Sequence, residues 1–455
     1  MALVRINGPN SYFRSLPLLK RLFWLYFFLL VFEGGLRKWF VPQLSSALLL
    51  IRDPVAIFII WEAYRTRKWP ARWSGLINLL AVAMMGLFFV QIVAGGNSWI
   101  VGVYGLRSYL LPLPVAFIMG ENIDAEDLHR FGICILWLFL PLTALSVAQY
   151  LAPVGSILNA GAGMGAGQIS SFGEHIRASA TFSFVTGWAS YIWLVAAFIF
   201  YGLANEKFAR KWLLWAASFA LVLCIPVSGS RTVVFEVASV LVMVSIGAFV
   251  GVSQFAKSLK IIVPLLAVFI LVTLLPVFHE ATATLAGRFT EAAANEGDTE
   301  QTLLTRILDP VVDPILDSFT MSNWTGQGMG YGSNVASTLQ TGQTFQAGEG
   351  EISRIFVEFG LPAGLAFLLL RWGLALAFTG KALSRVRDHE PLAWLLVPLT
   401  ASSLAIGSFE QPTAQGFMVI GVAFSLAALN LSGYSVEPAP SLIPTWHRVR
   451  IRVQS

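Results

Sequence analysis

The chain of 455 residues is 56% hydrophobic and only 12% charged, about half the charged fraction of an average soluble domain, which is roughly 25%. This composition excludes an ordinary soluble domain and predicts a polytopic membrane protein, with the lipid bilayer as its surroundings. The net charge of +5 does not indicate nucleic-acid binding, because basic residues in a membrane protein are first explained by their role in orienting it. Nucleic acid is therefore not expected as a partner.

About twelve predicted helices follow one another along the chain. A membrane-spanning helix needs about 20 mostly apolar residues. Runs of that kind centre on residues 18–34, 44–62, 75–94, 99–119, 131–152, 183–203, 211–228, 232–250, 261–278, 352–373, 391–408 and 414–432. The predicted fold class is all-α, with a single transmembrane domain over residues 1–455. A large loop at 279–350 is inserted between predicted helices 9 and 10.

The distribution of positive residues predicts the orientation of these helices. An even number of spans puts both termini on one side of the membrane. Of the 30 Lys and Arg residues, 20 fall on that side, seven on the other side and three within the spans. Because Lys and Arg concentrate in cytoplasmic loops, both termini are predicted to be cytoplasmic and the 279–350 loop to lie outside the cytoplasm.

Charged residues also occur in the first predicted spans, where a charge at the membrane centre costs at least about 2.5–3.5 kcal/mol. Arg52, Asp53 and Arg107 lie within spans; they either pair with one another inside the bundle or line a substrate path. Three further residues lie at the outer boundary of the first span: Glu33, Arg37 and Lys38. These either anchor the helix end or bind an anion.

Positive residues on the outer side are exceptions to the orientation rule, and an anionic ligand is one explanation for them. The candidates are Arg177, Arg231, Arg288 and Arg354. Arg231 follows Ser228 and Ser230 between two spans, and the planar fork of an arginine makes two parallel charge-assisted hydrogen bonds to a phosphate. The alternative is a tight turn whose arginine extends to the membrane interface.

The 279–350 loop is longer than a connection requires. Near its end, glycines alternate with other residues from Gly326 to Gly332, a pattern that favours tight turns and close approach of the backbone.

The helix after this loop begins with Glu351, Arg354 and Glu358 on one face, and Glu349 precedes it. Two interpretations stay open. The carboxylates stabilise the helix N-terminus, with Glu351 and Arg354 as a local ion pair. Alternatively, the helix start and Arg354 bind an anion, and a carboxylate takes a proton from an attacking hydroxyl.

The order of these motifs resembles the O-antigen ligase and O-antigen polymerase superfamily of bacterial envelope glycosyltransferases. The resemblance covers roughly residues 200–375 and is carried by Ser228-Gly229-Ser230-Arg231, the Gly326–Gly332 run, and Glu358-Phe359-Gly360-Leu361-Pro362-Ala363-Gly364. The N-terminal half resembles polysaccharide-polymerase-like members more loosely, through Glu33-Gly34-Gly35-Leu36-Arg37-Lys38-Trp39 and Leu50-Ile51-Arg52-Asp53-Pro54.

The resemblance implies a GT-C-like helical fold and a glycan donor on an undecaprenyl diphosphate carrier. It implies periplasmic arginines that hold the diphosphate, with Arg231 matching the family arginine and Arg354, Arg177, Arg288, Ser228 and Ser230 as further candidates. The family histidine that is proposed to activate the acceptor falls here on Glu349. The base is therefore Glu349, Glu351 or no protein group. The glutamate in place of the family histidine favours a polymerase over a ligase.

The resulting hypothesis is a glycosyltransferase of the bacterial inner membrane that joins lipid-diphosphate-linked oligosaccharides on the periplasmic side, as a polymerase of O-antigen or exopolysaccharide repeat units. The alternatives are a ligase that transfers the glycan to lipid A core or another acceptor, and, from another class, a transporter or flippase. The resemblance also implies flippase and chain-length-regulator proteins as partners. No pair of aspartates has metal-ligand spacing, so neither a metal nor another cofactor is expected.

Overall fold

A computed structural model of the chain describes residues 16–94, 98–163, 176–250, 324–333, 350–386 and 391–431, with short pieces at 252, 255, 279–283, 285–287 and 312–316. The secondary structure of this part of the chain is helical, and it contains no β-strand. The predicted all-α class is therefore confirmed for the described residues.

The described ranges contain twelve helices of eleven residues or more. They are α1 (Leu18–Gly35), α2 (Arg52–Arg65), α3 (Ser74–Val93), α4 (Trp99–Leu110), α5 (Pro112–Asn122), α6 (Ala125–Leu151), α7 (Val185–Ala204), α8 (Lys211–Val227), α9 (Arg231–Phe249), α10 (Glu351–Arg385), α11 (Leu392–Ala405) and α12 (Pro412–Leu431). Helices α4 and α5 follow one another as a single segment, Trp99–Asn122.

Eight helical segments in the described ranges are long and apolar enough to cross a membrane, and the apolar helices α8 and α11 are shorter. The chain is therefore a polytopic membrane protein whose described residues are helical and contain no β-strand. Twelve spans stay a prediction, because the ninth predicted span, at 261–278, lies outside the described residues. Most of the predicted 279–350 loop lies outside them as well, and the GT-C-like architecture is not tested.

Some helices lie in the buried centre of the bundle, and others lie at its lipid-facing rim. Within an 18-residue stretch of α12, 83% of the residues are buried, against 28% for the segment that contains α3. Helix α12 packs against α5, α7 and α11, whereas α3 exposes apolar side chains such as Leu79 (66%) and Val82 (72%). In lipid, exposed apolar side chains are favourable and helices satisfy every backbone hydrogen bond internally.

The connections between helices gather at two ends of the bundle. At one end, called here the Lys20 end, Lys20 forms ion pairs with Asp124 and Asp127, and Asn122 donates to the carbonyl of Lys68. The opposite end, called here the Arg52 end, contains the end of α1, the 36–51 connection, the 152–163 and 176–184 segments, the α8–α9 turn, the start of α10 and the 406–411 connection. Which end faces the cytoplasm stays a prediction.

Candidate functional site

Two clusters of buried and half-buried polar groups, most of them charged, lie at the Arg52 end. The Arg52 cluster consists of Glu33, Arg37, Arg52, Asp53 and Arg107. The Glu358 cluster consists of Tyr109, Glu351, Arg354, Glu358, Arg371 and Glu410. Helix α4 contributes to both. The amide of Gln415 on α12 also joins them, because its Nε2 donates to the carbonyls of Ser108 (2.9 Å) and Phe409 (2.7 Å).

Arg52 is the most buried cation of its cluster, and its side chain is 4% exposed. Its Nε lies 3.0 Å from Oε2 of Glu33 on α1, and an Nη donates to the carbonyl of Pro412 at the start of α12. Arg37 lies 3.7 Å from the other oxygen of Glu33 and donates to the hydroxyl of Ser183 at 2.8 Å. The cluster therefore ties α1, α2, α12 and the 176–183 segment together.

Asp53 and Arg107 form the third ion pair of the cluster, at 2.8 Å. The pairing that was predicted from the sequence as one alternative is therefore present, and the substrate path stays a prediction. The guanidinium of Arg107 also lies over the ring of Tyr104, 4.1 Å from its centroid. Its Nε and its second Nη are buried and meet no hydrogen-bond acceptor among the described residues. With three guanidinium groups against two carboxylates, the cluster has an excess of positive charge.

Lys38 lies just after α1 and is also buried. Its Nζ donates to the hydroxyl of Ser179 at 2.6 Å and to the carbonyl of Ala180 at 3.2 Å. Burial, together with the charge of Arg37, lowers the pKa of Lys38 to about 7. Of the two alternatives for Lys38, the structure therefore shows the anchoring contacts.

The carboxylate of Glu358 is completely buried in α10 and is held by neutral donors. Oε2 accepts hydrogen bonds from the hydroxyl of Tyr109 (2.9 Å) and the backbone N–H of Gly330 (3.1 Å), and Oε1 accepts one from the N–H of Gly332 (2.9 Å). Successive backbone N–H groups of this kind form a concave anion site. The glycine run therefore folds around a carboxylate of the chain itself.

The glycine run also supplies a hydrogen bond to a carbonyl that is left free at a break in α10. Pro362 has no N–H to donate to the carbonyl of Glu358, four residues earlier. That carbonyl instead accepts from Nε2 of Gln91 (2.7 Å) and from the N–H of Gly328 (3.2 Å). Gly360 has φ 73°, and a Cβ there would lie 2.2 Å from the carbonyl oxygen of Trp324. The prediction of tight turns and close backbone approach is thus confirmed.

Glu351 is tied into the junction between α10 and α11. Its Oε1 accepts from Arg371 (3.2 Å) and from the N–H of Phe409 (3.0 Å), and its Oε2 lies 3.3 Å from Arg354. The predicted local ion pair between Glu351 and Arg354 is therefore present. Arg371, which is fully buried, also donates to the carbonyl of Leu404, which has no partner within the helix because it lies in the last turn of α11, and to the carbonyl of Gly407 just after that helix.

Glu410 lies in the connection between α11 and α12, and its side chain is 4% exposed. Its nearest cation is Arg354, with Nε 3.9 Å from Oε2. Its carboxyl group is hydrogen-bonded to the carboxyl group of Glu358, and no other donor among the described residues reaches its oxygens. Burial and the neighbouring carboxyl group of Glu358 hold the pKa of Glu410 well above its ordinary value, and the charge of Arg354 opposes this rise.

The predicted Ser228–Arg231 motif forms the turn between α8 and α9. The hydroxyl of Ser228 donates to the carbonyl of Ile225 (2.9 Å) and accepts from the N–H of Ser230 (3.3 Å). Gly229 has φ 56°, and Arg231 begins α9, partly exposed. Helix α9 packs against α11, which also packs against α10, so α11 lies between this turn and the Glu358 cluster.

The remaining predicted site residues have different outcomes. Arg177 belongs to the same segment as Ser179 and Ser183, which hold Lys38 and Arg37. Glu349 and Arg288 lie outside the described residues. The roles of all the predicted site residues stay predictions.

The sequence alone did not single out several members of the clusters: Gln91, Tyr109, Glu410 and Gln415. Gln91 and Tyr109 are polar residues in apolar stretches, and their partners are distant in the chain. Glu358 and Tyr109, for instance, are 249 positions apart. The signal available was the presence of an acid, Glu410, between the last two predicted spans, where an intramembrane or boundary carboxylate is a default functional candidate.

Comparison of the chain with protein-family models and with curated proteins gave no match. Within the described residues, no group of three or more His, Cys, Asp or Glu side chains is placed to hold a metal ion.

Proposed function

We propose that the chain is a glycosyltransferase of the bacterial inner membrane that uses an undecaprenyl-diphosphate-linked oligosaccharide, and that it polymerises O-antigen or exopolysaccharide repeat units. The Arg52 end faces the periplasm and both termini face the cytoplasm. The proposal takes its reaction class from the resemblance of three motifs and its location from the charged clusters.

The observation that carries the proposal is the excess of guanidinium groups at one end of the bundle. Arg107 has two buried nitrogens without an acceptor in the described part of the chain, and its cluster contains one more guanidinium than carboxylate. A positive excess favours an anion, and arginine suits phosphate because its fork donates two parallel hydrogen bonds. A lipid diphosphate has this chemistry and reaches the site from the membrane.

The contact between two of the three motifs also supports the proposal. The Gly326–Gly332 run and the Glu358–Gly364 segment are far apart in sequence, yet Gly330 and Gly332 bind the carboxylate of Glu358. The third motif, the turn that ends in Arg231, lies across α11 from them. Two of the three motifs that carry the resemblance are therefore in contact with each other.

In this reaction an acceptor hydroxyl attacks the anomeric carbon of the lipid-linked sugar. The bond between that carbon and the diphosphate oxygen breaks, and the undecaprenyl diphosphate leaves with the electron pair. Arginines that neutralise the developing charge act by electrostatic stabilisation, and the bundle holds the two substrates in line.

The test uses a bacterial strain that carries Arg231→Ala or Arg107→Lys in place of the wild-type chain. The lysine keeps a charge for Asp53 but loses the fork. We expect loss of long surface polysaccharide on a gel and accumulation of single lipid-linked repeat units on the periplasmic face. Arg72→Ala is the matched control, because Arg72 is exposed at the Lys20 end.

Other outcomes identify the alternatives. Long lipid-linked chains that never reach their acceptor indicate a ligase. Units trapped on the cytoplasmic face indicate a flippase. Wild-type polysaccharide in both variants contradicts an anion site at these arginines.

A further inference from the structure

The carboxyl groups of Glu358 and Glu410 meet inside the protein. Glu358 belongs to α10 and is fully buried, and Glu410 belongs to the 406–411 connection and is also buried. The two carboxyl groups are hydrogen-bonded to each other. Two carboxylates cannot form this bond, because an ionised carboxylate only accepts hydrogen bonds. One of the two groups must therefore hold a proton.

The partners of Glu358 identify it as the acceptor in this bond. Its oxygens also accept from the hydroxyl of Tyr109 and from the N–H groups of Gly330 and Gly332. A carboxylate that accepts several hydrogen bonds is stabilised in its charged form. No comparable set of donors among the described residues surrounds Glu410, so the proton belongs to Glu410.

The charges around Glu410 are consistent with this assignment. The nearest cation is Arg354, whose Nε lies 3.9 Å from Oε2 of Glu410 and whose Nη1 lies 3.3 Å from Oε2 of Glu351. Arg371 interacts with the other oxygen of Glu351 at 3.2 Å. The remaining titratable member of the cluster is Tyr109 of α4, which donates its proton in a hydrogen bond. Two guanidinium groups therefore face three carboxyl groups, and one proton makes the cluster neutral.

We propose that a single proton, held by Glu410 and shared with Glu358, is a latch that fastens the 406–411 connection to α10. Loss of the proton would bring two buried carboxylates into contact, and like charges this close cannot both ionise at low cost. Glu410 would then turn outward, towards the exposed position of Gln411. The latch does not depend on the reaction that the chain catalyses.

The pKa of Glu410 gives the direction of the pH dependence. Burial and the carboxyl group of Glu358 raise this pKa well above the ordinary value of 4.5, and the charge of Arg354 opposes the rise. Between the ordinary and the raised value, the closed latch binds more protons than the open one. The closed state is therefore most stable at acidic pH, and the open population rises by up to about tenfold for each pH unit in this window.

Hydrogen–deuterium exchange of the purified full-length chain in lipid nanodiscs tests the latch. The exchange rate of the backbone N–H groups at 406–411 is measured at pH 5, 6 and 7 in the wild type and in Glu410→Gln. The glutamine amide still donates to Glu358 but does not titrate. We expect the ratio of the wild-type rate to the variant rate to rise by up to about tenfold for each pH unit, because comparison at equal pH cancels the pH dependence of exchange itself.

The matched control is Glu206→Gln, at an exposed position of the connection between α7 and α8. It should exchange like the wild type at every pH. Glu410→Ala, which lacks a donor for Glu358, should exchange faster than Glu410→Gln at every pH.

Two results would overturn the latch. The first is a ratio of wild-type to Glu410→Gln rates that stays constant from pH 5 to pH 7, because the connection then opens without losing a proton. The second comes from infrared spectra of Glu410→Asp, a variant that keeps a carboxyl group. The C=O band of a protonated carboxyl group should shift in this variant relative to the wild type, and an unshifted band would show that Glu410 does not hold the proton.

Discussion

The charged side chains at the Arg52 end differ in the kind of partner that each has. Arg52, Arg107 and Arg371 each have a carboxylate within 3.2 Å, whereas the described hydrogen bonds of Lys38 go to a hydroxyl and a carbonyl. A buried charge without an opposite charge favours its neutral form. This difference makes Lys38 the residue with the clearest consequence for stability.

We predict that Lys38 makes the stability of the protein depend on pH. Its pKa is about 7 in the folded chain against an ordinary value of 10.5, so between these values the unfolded chain binds more protons. The free energy of unfolding should therefore rise with pH from about 7 to 10.5, by at most about 1.4 kcal/mol per pH unit. Below pH 7 both states hold the proton and the contribution is constant.

Thermal unfolding of the detergent-purified chain at pH 7, 8 and 9 checks this prediction. Lys38→Met should remove the rise, whereas Lys211→Met, at an exposed position, should keep it. Equal slopes in wild type and Lys38→Met would show that Lys38 stays charged in the folded protein.

At the scale of single residues, the sequence predicted contacts between near neighbours better than contacts between distant ones. The Glu351–Arg354 pair follows from helical spacing, and the structure confirms it. The second partner of Glu351, Arg371, is 20 positions away and in the same apolar helix. Local sequence patterns do not distinguish an arginine that pairs with Glu351 from one that lines a substrate path. From the sequence, Glu351 was therefore still a candidate base.

Helix α10 shows how one element produces the geometry of the Glu358 cluster. Gly360 and Pro362 interrupt its backbone hydrogen bonds, and the freed carbonyls of Val357 and Glu358 bind the N–H groups of Gln327 and Gly328. The break is therefore the docking point of the 324–333 segment. The glycines of the 324–333 segment and Pro362 are visible in the sequence. Their contact with each other at the break in α10 is visible only in the structure.

We predict that Gly360→Ala destabilises this docking. An alanine at φ 73° and ψ 179° would occupy a backbone region open essentially to glycine alone, at roughly 1–3 kcal/mol, and its Cβ would lie 2.2 Å from the carbonyl oxygen of Trp324. The variant should unfold at a lower temperature and should be cleaved more rapidly by protease within 324–333.

Gly373→Ala on the same helix is the matched control. A Cβ at Gly373 meets nothing within 4 Å, so this change should stabilise the helix by about 0.5–1 kcal/mol. If the two variants have equal melting temperatures, the contact between Gly360 and Trp324 does not hold the segment in place.

Helix α4 connects the two clusters through residues that are two positions apart. Arg107 pairs with Asp53 on α2, and Tyr109 donates to Glu358 on α10. Because side chains at i and i+2 of a helix do not face each other, α4 lies between the two partners. Both clusters are therefore fixed to the same rigid element.

For the molecule as a whole, apolar runs and positive residues were sufficient to predict an all-helical membrane protein. They could not predict which helices become neighbours, because lipid-facing and buried stretches are similarly apolar. The central position of α12 and the peripheral position of α3 are visible only in the packing. The location of Glu410 opposite α10 depends on that packing, which explains why the sequence did not identify it.

The predicted orientation has a direct test. We expect a membrane-impermeant maleimide to label Val154→Cys, exposed at the Arg52 end, in intact cells whose outer membrane admits the reagent. Lys68→Cys, at the Lys20 end, should be labelled only after the inner membrane is permeabilised. Both are made with Cys134 and Cys224 replaced by alanine. Labelling of Lys68→Cys alone in intact cells would reverse the orientation and place both clusters on the cytoplasmic side.

The most direct test of the central claim is a single reaction with the purified wild-type chain in nanodiscs. Undecaprenyl-diphosphate-linked repeat units are added, and both the length of the lipid-linked glycan and the release of undecaprenyl diphosphate are measured. The proposed polymerase lengthens the glycan and releases one carrier for each unit joined. Unchanged glycan length without released carrier, from protein whose melting curve shows a folded state, would contradict it.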